Sequence, residues 1–131
     1  MPEAGAWLAQ HYYDHYLFTM DQNFLRDRTY PIMKSLTEFW ADELVSDPRD
    51  GKLVVSPSFS PEQGPFSAGA SMSQQIVWDL FTNTQAAART LGDAATVRST
   101  GDVLQPVPRH RGRSQNSVID VLPALPGRGE R

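Results

Sequence analysis

The sequence predicts an all-α fold. Three long stretches, at about residues 4–19, 30–47 and 70–91, place apolar side chains three and four residues apart, which is the spacing of an amphipathic helix. The segments between them are rich in proline, glycine and aspartate, which end helices. Only residues 52–55 have a short extended pattern. The chain therefore reads as helices joined by stiff loops.

The first helix is predicted from Ala4 to Thr19, and a shorter helix follows it. Asp21 suits the N-cap of this short helix, which we expect to continue through Arg28 with Phe24 and Leu25 facing inward. Aromatic residues at helical spacing usually pack into a core. The stripe predicted for the first helix consists of Trp7, Leu8, His11, Tyr12, His15, Tyr16 and Thr19.

The second and third long helices have clearer ends. Tyr30–Pro31 opens the second helix with proline at the first helical position, and Pro48 cannot continue it. The third helix has the most regular apolar stripe in the chain, and Gly92 suits the residue that closes a helix. The predicted apolar positions are Ile32, Met33, Leu36, Phe39, Trp40, Leu44 and Val45 in the second helix, and Met72, Ile76, Val77, Leu80, Phe81, Thr84, Ala87, Ala88 and Leu91 in the third.

The chain changes character at about residue 95. Residues 1–94 carry six Lys or Arg against twelve Asp or Glu, whereas residues 95–131 carry six Arg, no Lys and three acids. Arginine, proline and glycine accumulate in this second part, and the apolar periodicity is lost. We therefore expect a partial domain over residues 1–94, and an Arg/Pro/Gly-rich tail over 95–131 that is disordered or translated out of frame.

Composition excludes several kinds of function. The chain has no cysteine, so disulfides and thiolate metal sites are ruled out. The acidic first part does not suit nucleic acid as a partner. No window approaches the roughly 18 apolar residues of a membrane span, so we expect no membrane partner. Nothing in the sequence indicates a compartment.

The segment SPSFSPEQGPF, residues 56–66, holds a single acid, Glu62, in a loop with three prolines. Each proline fixes its own φ and pushes the preceding residue towards extended conformations, so the loop cannot be helical. A stiff loop can aim a catalytic group, but a lone glutamate is more often a solvated surface residue. From the residues alone, both interpretations remain open.

Four segments in order carry a family resemblance: WLAQHYYDHYLFTMD, YPIMKSLTEFWADELVSDP, GKLVVSPSFSPEQ and SMSQQIVWDLFTNTQAAARTLGD. Together they resemble the middle of the catalytic domain of glycoside hydrolase family 95, the α-L-fucosidases that act on 1,2-linked fucose. The resemblance covers about residues 4–94. It implies a fragment of an (α/α)6 toroid from an inverting enzyme that hydrolyses terminal α-linked L-fucose from oligosaccharides.

The resemblance implies roles for particular residues. Glu62 matches the glutamate believed to be the general acid, a role that inverting glycosidases give to one of two carboxyl groups. Trp7 and His11 are expected near the sugar. Gln75 matches the glutamine of the family's M-D-M-Q-I pattern, in which Ser73 here replaces the acid.

No cofactor is implied, because the chemistry needs only a carboxyl group, water and positioning. His11 and His15 have the spacing of a zinc-binding pair, with Asp14 beside them. A third ligand and the glutamate of an H-E-x-x-H motif are missing, so we expect no metal site.

Part of the family's machinery is not matched. Members activate water through an Asn-x-Asn segment before the aromatic-His helix and through an aspartate far downstream, and this sequence matches neither. We therefore expect the chain to be inactive on its own. Two alternatives remain: another (α/α)6 carbohydrate-active enzyme, such as an α-L-galactosidase or a glycoside phosphorylase, or a non-catalytic helical remnant.

Overall fold

The structure, a computed structural model, describes residues 2–59 and 65–104, and this part of the chain is mostly helical. The prediction of an all-α fold is confirmed, with one two-stranded antiparallel ribbon between the second and third long helices. The elements are α1 (Ala4–Thr19), α2 (Gln22–Phe24), one turn of π-helix (Leu25–Thr29), α3 (Tyr30–Glu43), β1 (Val45–Ser46), β2 (Leu53–Val54), α4 (Ser71–Leu91) and α5 (Ala94–Val103).

The predicted helix ends are confirmed at two points and wrong at a third. The Asp21 carboxylate accepts hydrogen bonds from the backbone N–H groups of Asn23 and Phe24, as an N-cap does. Gly92 closes α4 with a φ of +77°. By contrast, α3 ends at Glu43 rather than at residue 47, because Val45 and Ser46 pair with β2 instead of continuing the helix.

Side-chain contacts fix the directions of the long helices. Thr29, just before α3, donates to the carbonyl of Tyr12 in the middle of α1, whereas Gly5 near the start of α1 lies against Leu36 in the middle of α3, so α1 and α3 are antiparallel. At the middle of the bundle, Thr37 of α3 and Thr84 of α4 share a buried hydrogen bond of 2.9 Å, and the start of α3 meets the end of α4. The helices α1 and α4 therefore run in the same general direction, and they contact each other as well as α3.

The buried face of α1 differs from the predicted stripe. The side chains that face the core are those of Ala6, Ala9, Tyr13 and Tyr16, and of the predicted stripe only Tyr16 is buried. The small alanine side chains let α1 approach its neighbours closely, and an ideal Cβ at Gly5 would lie 3.2 Å from Leu36. The bulky aromatic stripe is consequently left on the outside of the helix.

The stripe predicted for α4 is confirmed, whereas that of α3 is confirmed only in part. Every position predicted for α4 is buried or half-buried. In α3 the core receives Met33 and Trp40, with Leu36 half-buried, but Ile32 and Phe39 are exposed. Because α4 lies between α1, α3 and α5, it has neighbours on several sides, and its apolar stripe is the widest.

Residues 95–103, which the sequence analysis placed in the tail, belong to the helix α5 (Ala94–Val103). Asp93 caps the helix by accepting from the backbone N–H of Thr96. The buried side of α5 is made by Thr96 and Thr100, whose hydroxyl groups bond within the helix or to its cap. Because only Thr96 and Thr100 make its buried side, α5 has no run of bulky apolar residues, and the sequence pattern gave no helix here. The remaining tail, residues 105–131, lies outside the described residues.

Asp93 also joins α5 to α3. Its Oδ2 accepts from the Tyr30 hydroxyl at 2.6 Å and from the Lys34 ammonium group at 3.1 Å. Hydrogen bonds from Tyr30 and Thr96 hold the pKa of Asp93 well below its usual range. Burial, reinforced by the hydrogen bond to Asp93, raises the pKa of Tyr30 from 10.0 to about 12.

This pairing predicts an alkaline loss of stability. Because the folded-state pKa of Tyr30 lies above its ordinary value, its contribution is fully present below pH 10 and is lost as pH rises towards 12. The thermal midpoint of the chain should therefore fall over this pH range. A Tyr30→Phe variant should fall less over the same range, since it has no hydroxyl to ionise. Identical pH profiles for the two proteins would contradict the prediction.

Candidate active site

The proline-rich loop is anchored on both of its limbs. Ser58 and Ser67 exchange backbone hydrogen bonds of 2.7 and 2.8 Å across the loop. The Ser58 side chain is buried, and its Oγ accepts from the backbone N–H of Ala70 at the start of α4. Gly69, at a φ of +71°, donates its N–H to the carbonyl of Val55. The loop is thus tied to β2 on one side and to α4 on the other.

Gln74 supplies a further anchor that the sequence analysis missed. Its Oε1 accepts from the backbone N–H of Val55 at 2.7 Å, and its Nε2 donates to the carbonyl of Leu53 at 3.3 Å. The Gln74 side chain, in the first turn of α4, therefore forms hydrogen bonds with the backbone of β2 and of the residue that follows it. A glutamine that begins a helix gives no sequence signal for this role, because its partner lies in a separate strand.

The predicted acid, Glu62, lies outside the described residues, together with residues 60, 61, 63 and 64. The residues on either side of this gap are described. The rings of Phe59 and Phe66 lie with their centroids 5.6 Å apart, just beyond the Ser58–Ser67 pair, and both are exposed. Backbone hydrogen bonds and an aromatic pair therefore join the two described limbs of the loop.

Trp7, His11 and Gln75, the residues predicted to contact sugar, all lie on exposed helix faces. Trp7 is 46% exposed, one turn before His11 on α1. Gln75 is exposed in the first turns of α4. The helical spacing alone favoured a core position for Trp7. In the structure Ala6 and Ala9 occupy the core positions of this part of α1, and Trp7 is exposed.

His11 and His15 have different surroundings. The His15 ring lies 4.3 Å from that of Phe24, so it packs on the short helix that follows α1. Within residues 2–59 and 65–104, no three His, Asp or Glu side chains come together as a metal ion would require. The Asp79 carboxyl, one turn after Gln75, was not singled out from the sequence, and partial burial raises its pKa.

A cleft of about 280 Å³ lies between α3 and α5. Lys34 and Glu38 line one wall, Ser99 lines the other, and Phe81 of α4 forms part of its floor. None of the residues predicted to bind sugar borders this cleft. The cleft is therefore separate from Trp7, His11 and Gln75, for which a sugar-binding role is predicted.

A family model for the catalytic domain of glycosyl hydrolase family 95 matches residues 1–117. The chain belongs to this family, as the resemblance predicted. Its described helices are those of a fragment of the family's helical toroid. The match extends past Asp93 and includes α5, which supports assigning that helix to the catalytic domain rather than to a tail.

Two curated relatives carry fucosidase names. The chain is 37% identical over 101 residues to "Probable alpha-fucosidase A" of Aspergillus niger, an alignment that covers 72% of this chain and 13% of that protein. It is 34% identical over 106 residues to "Alpha-L-fucosidase 2" of Arabidopsis thaliana, covering 79% and 12% respectively. The chain thus spans about an eighth of the length of these relatives. Among the described helices, none combines the length and apolar character needed to cross a membrane.

Proposed function

We propose that this chain is a segment of the catalytic domain of an inverting α-L-fucosidase that removes terminal α-linked L-fucose from oligosaccharides. In this proposal Glu62 is the general acid that protonates the leaving oxygen. The fucosidase names of both relatives support the substrate class. Inverting glycosidases need one such protonated carboxyl and a second group that activates water on the opposite face of the sugar.

The anchoring of the loop is the observation that carries the proposal. Proton transfer requires the acid to be within hydrogen-bond reach of the leaving oxygen, so the segment that carries it must be held in place. The backbone pair of Ser58 and Ser67 and the amide of Gln74 hold the two limbs of this loop. A plain surface connector would not need the buried side chain of Ser58 and the half-buried amide of Gln74 to hold its two ends.

The exposed faces of α1 and α4 support the roles of Trp7, His11 and Gln75. An exposed indole ring offers an apolar face to the C–H surface of a sugar, and imidazole and amide groups can hydrogen-bond its hydroxyl groups. Glu3 at the start of α1 contacts Ser73 in the first turn of α4, so the beginnings of these two helices are neighbours. Trp7 and Gln75 follow these contacts by one turn or less.

We also propose that the chain does not hydrolyse fucosides alone. It spans about an eighth of the length of the relatives, and the water-activating groups of the family have no match in its sequence. An acid without a group that activates water on the opposite face completes only half of the inverting mechanism.

A graft tests this function. The residues of this chain would replace the matching 101 residues of the Aspergillus niger relative, and release of fucose from a 1,2-fucosylated oligosaccharide would be followed by NMR. We expect the graft to release fucose, with the β anomer appearing first, because water attacks the face opposite the leaving group. The 131-residue chain alone should release none. First appearance of the α anomer would contradict inversion, and turnover by the isolated chain would contradict the need for the rest of the domain.

A further inference from the structure

The cleft between α3 and α5 has the dimensions of a site for one small molecule. Its volume of about 280 Å³ is close to the lower end of the range of about 300–1,000 Å³ that is typical of ligand pockets. The buried side chain of Phe81 forms part of its floor. The walls are polar, so the hydrogen-bonding groups of the walls decide which kind of ligand fits.

Four hydroxyl groups line this cleft, and each already donates its proton within the protein. Thr37 Oγ1 donates to a carbonyl of its own helix and Thr100 Oγ1 to the carbonyl of Thr96, both at 2.7 Å. Ser99 Oγ donates to the carbonyl of Thr96 at 3.2 Å, and Thr96 Oγ1 donates to Asp93 at 2.7 Å. Because a hydroxyl group has one proton and two lone pairs, these groups can offer a ligand only hydrogen-bond acceptors.

Two carboxylates on the α3 wall add negative charge to the cleft. Glu38 and Asp42 lie four residues apart, so their side chains are neighbours on one face of the helix. Both are exposed, and neither forms an ion pair within residues 2–59 and 65–104. Lys34 lies one turn before Glu38, but its ammonium group donates to Asp93 at 3.1 Å. The lining is therefore negatively charged and rich in acceptors.

We propose that this cleft binds a small organic cation that carries a guanidinium or ammonium group. Such a group brings the positive charge and the N–H donors that the lining lacks. Its N–H groups bond to the carboxylates of Glu38 and Asp42 and to the hydroxyl oxygens of α5, and its alkyl stem lies against Phe81. An anion would be repelled by the two carboxylates. The site does not depend on the proposed fucosidase function, since it shares no residue with it.

Titration of the full 131-residue chain with propylguanidinium chloride, followed by the backbone amide signals in NMR at constant ionic strength, tests this site. We expect saturable shifts at Glu38, Ser99 and Thr100, with a Kd of about 1–10 mM for so small a ligand. Propylurea has the same shape and N–H donors but no charge, and tetramethylammonium has the charge but no donor. Each should bind at least about threefold more weakly than propylguanidinium.

Substitutions in the cleft separate this site from general attraction to an acidic surface. Glu38→Gln and Asp42→Asn should each weaken propylguanidinium binding about threefold or more, and Ala41→Phe should block it by filling the cleft without changing its charge. Glu43→Gln is the matched control, because this exposed acid follows Asp42 directly but does not line the cleft. It should leave the Kd unchanged.

The proposal is overturned if propylguanidinium gives no saturable shift up to about 50 mM, or if either comparison compound binds equally well. It is also overturned if Glu43→Gln weakens binding as much as the two cleft substitutions do. The substituted residues Glu38, Ala41 and Asp42 are exposed, so their variants should keep the dispersed amide spectrum of the folded chain. None of these results would bear on whether the graft hydrolyses fucosides.

Discussion

In the graft, Glu62→Gln is expected to lower the hydrolysis of a fucosylated oligosaccharide by about 10²–10⁴-fold, the usual contribution of a general acid. Glutamine preserves the size and the hydrogen-bonding shape of the side chain but cannot donate a proton to the leaving oxygen. The loss should depend on the leaving group. A fucoside with a nitrophenyl leaving group needs little protonation, so its hydrolysis should fall much less than that of the oligosaccharide.

Glu43→Gln is the matched control, because Glu43 is an exposed acid at the end of α3 and no catalytic role is predicted for it. It should leave both rates unchanged. The thermal midpoints of the three grafts should also agree, so that lost activity is not lost folding. An equal loss with both substrates would show that Glu62 does not act as the acid.

The largest effect on stability is expected from Phe81→Ala. Phe81 is 1% exposed in the middle of α4, where α3 and α5 also pack. Removing a fully buried phenyl ring costs its transfer free energy and leaves a cavity, together about 3–5 kcal/mol. Urea unfolding of the chain, followed by helical circular dichroism, should show a midpoint shifted to markedly lower urea.

Phe39→Ala provides the comparison, because Phe39 is 49% exposed on α3. Its loss should cost less than about 1 kcal/mol, as surface substitutions usually do. Equal shifts for the two variants would mean that α4 does not form the centre of the core. A small shift for Phe81→Ala alone would mean that α5 does not pack on α4 as described.

The sequence predicted helices best where apolar residues alone form the interface. The stripe of α4 was correct because Ile76, Leu80 and Phe81 are both apolar and buried. The buried face predicted for α1 was wrong, because alanine side chains make much of its contact with the core. Most residues of the predicted aromatic stripe are exposed. The helix α5 was missed because Thr96 and Thr100 form its inner side. Periodicity shows where bulky apolar groups recur, but it does not show close packing by small or hydroxyl-bearing residues.

The residues of the candidate site were also only partly predictable from the sequence. The family resemblance named Glu62, Trp7, His11 and Gln75 from local motifs. The residues that hold the loop, among them Gln74, and the carboxyl of Glu3 came only from the structure. Their partners lie in other elements, and Glu3 and Ser73 are seventy positions apart in the sequence. Such long-range contacts depend on how the helices pack, and a single sequence has no local signal for them.

The most direct test is a crystal structure of the graft with L-fucose bound. We predict that a Glu62 carboxyl oxygen lies within about 2.6–3.2 Å of the anomeric oxygen, which is hydrogen-bond reach. We also predict that Trp7, His11 and Gln75 contact the sugar. The account would be contradicted by fucose bound elsewhere in the domain, or by a Glu62 side chain that points into solvent while another acid contacts the anomeric oxygen.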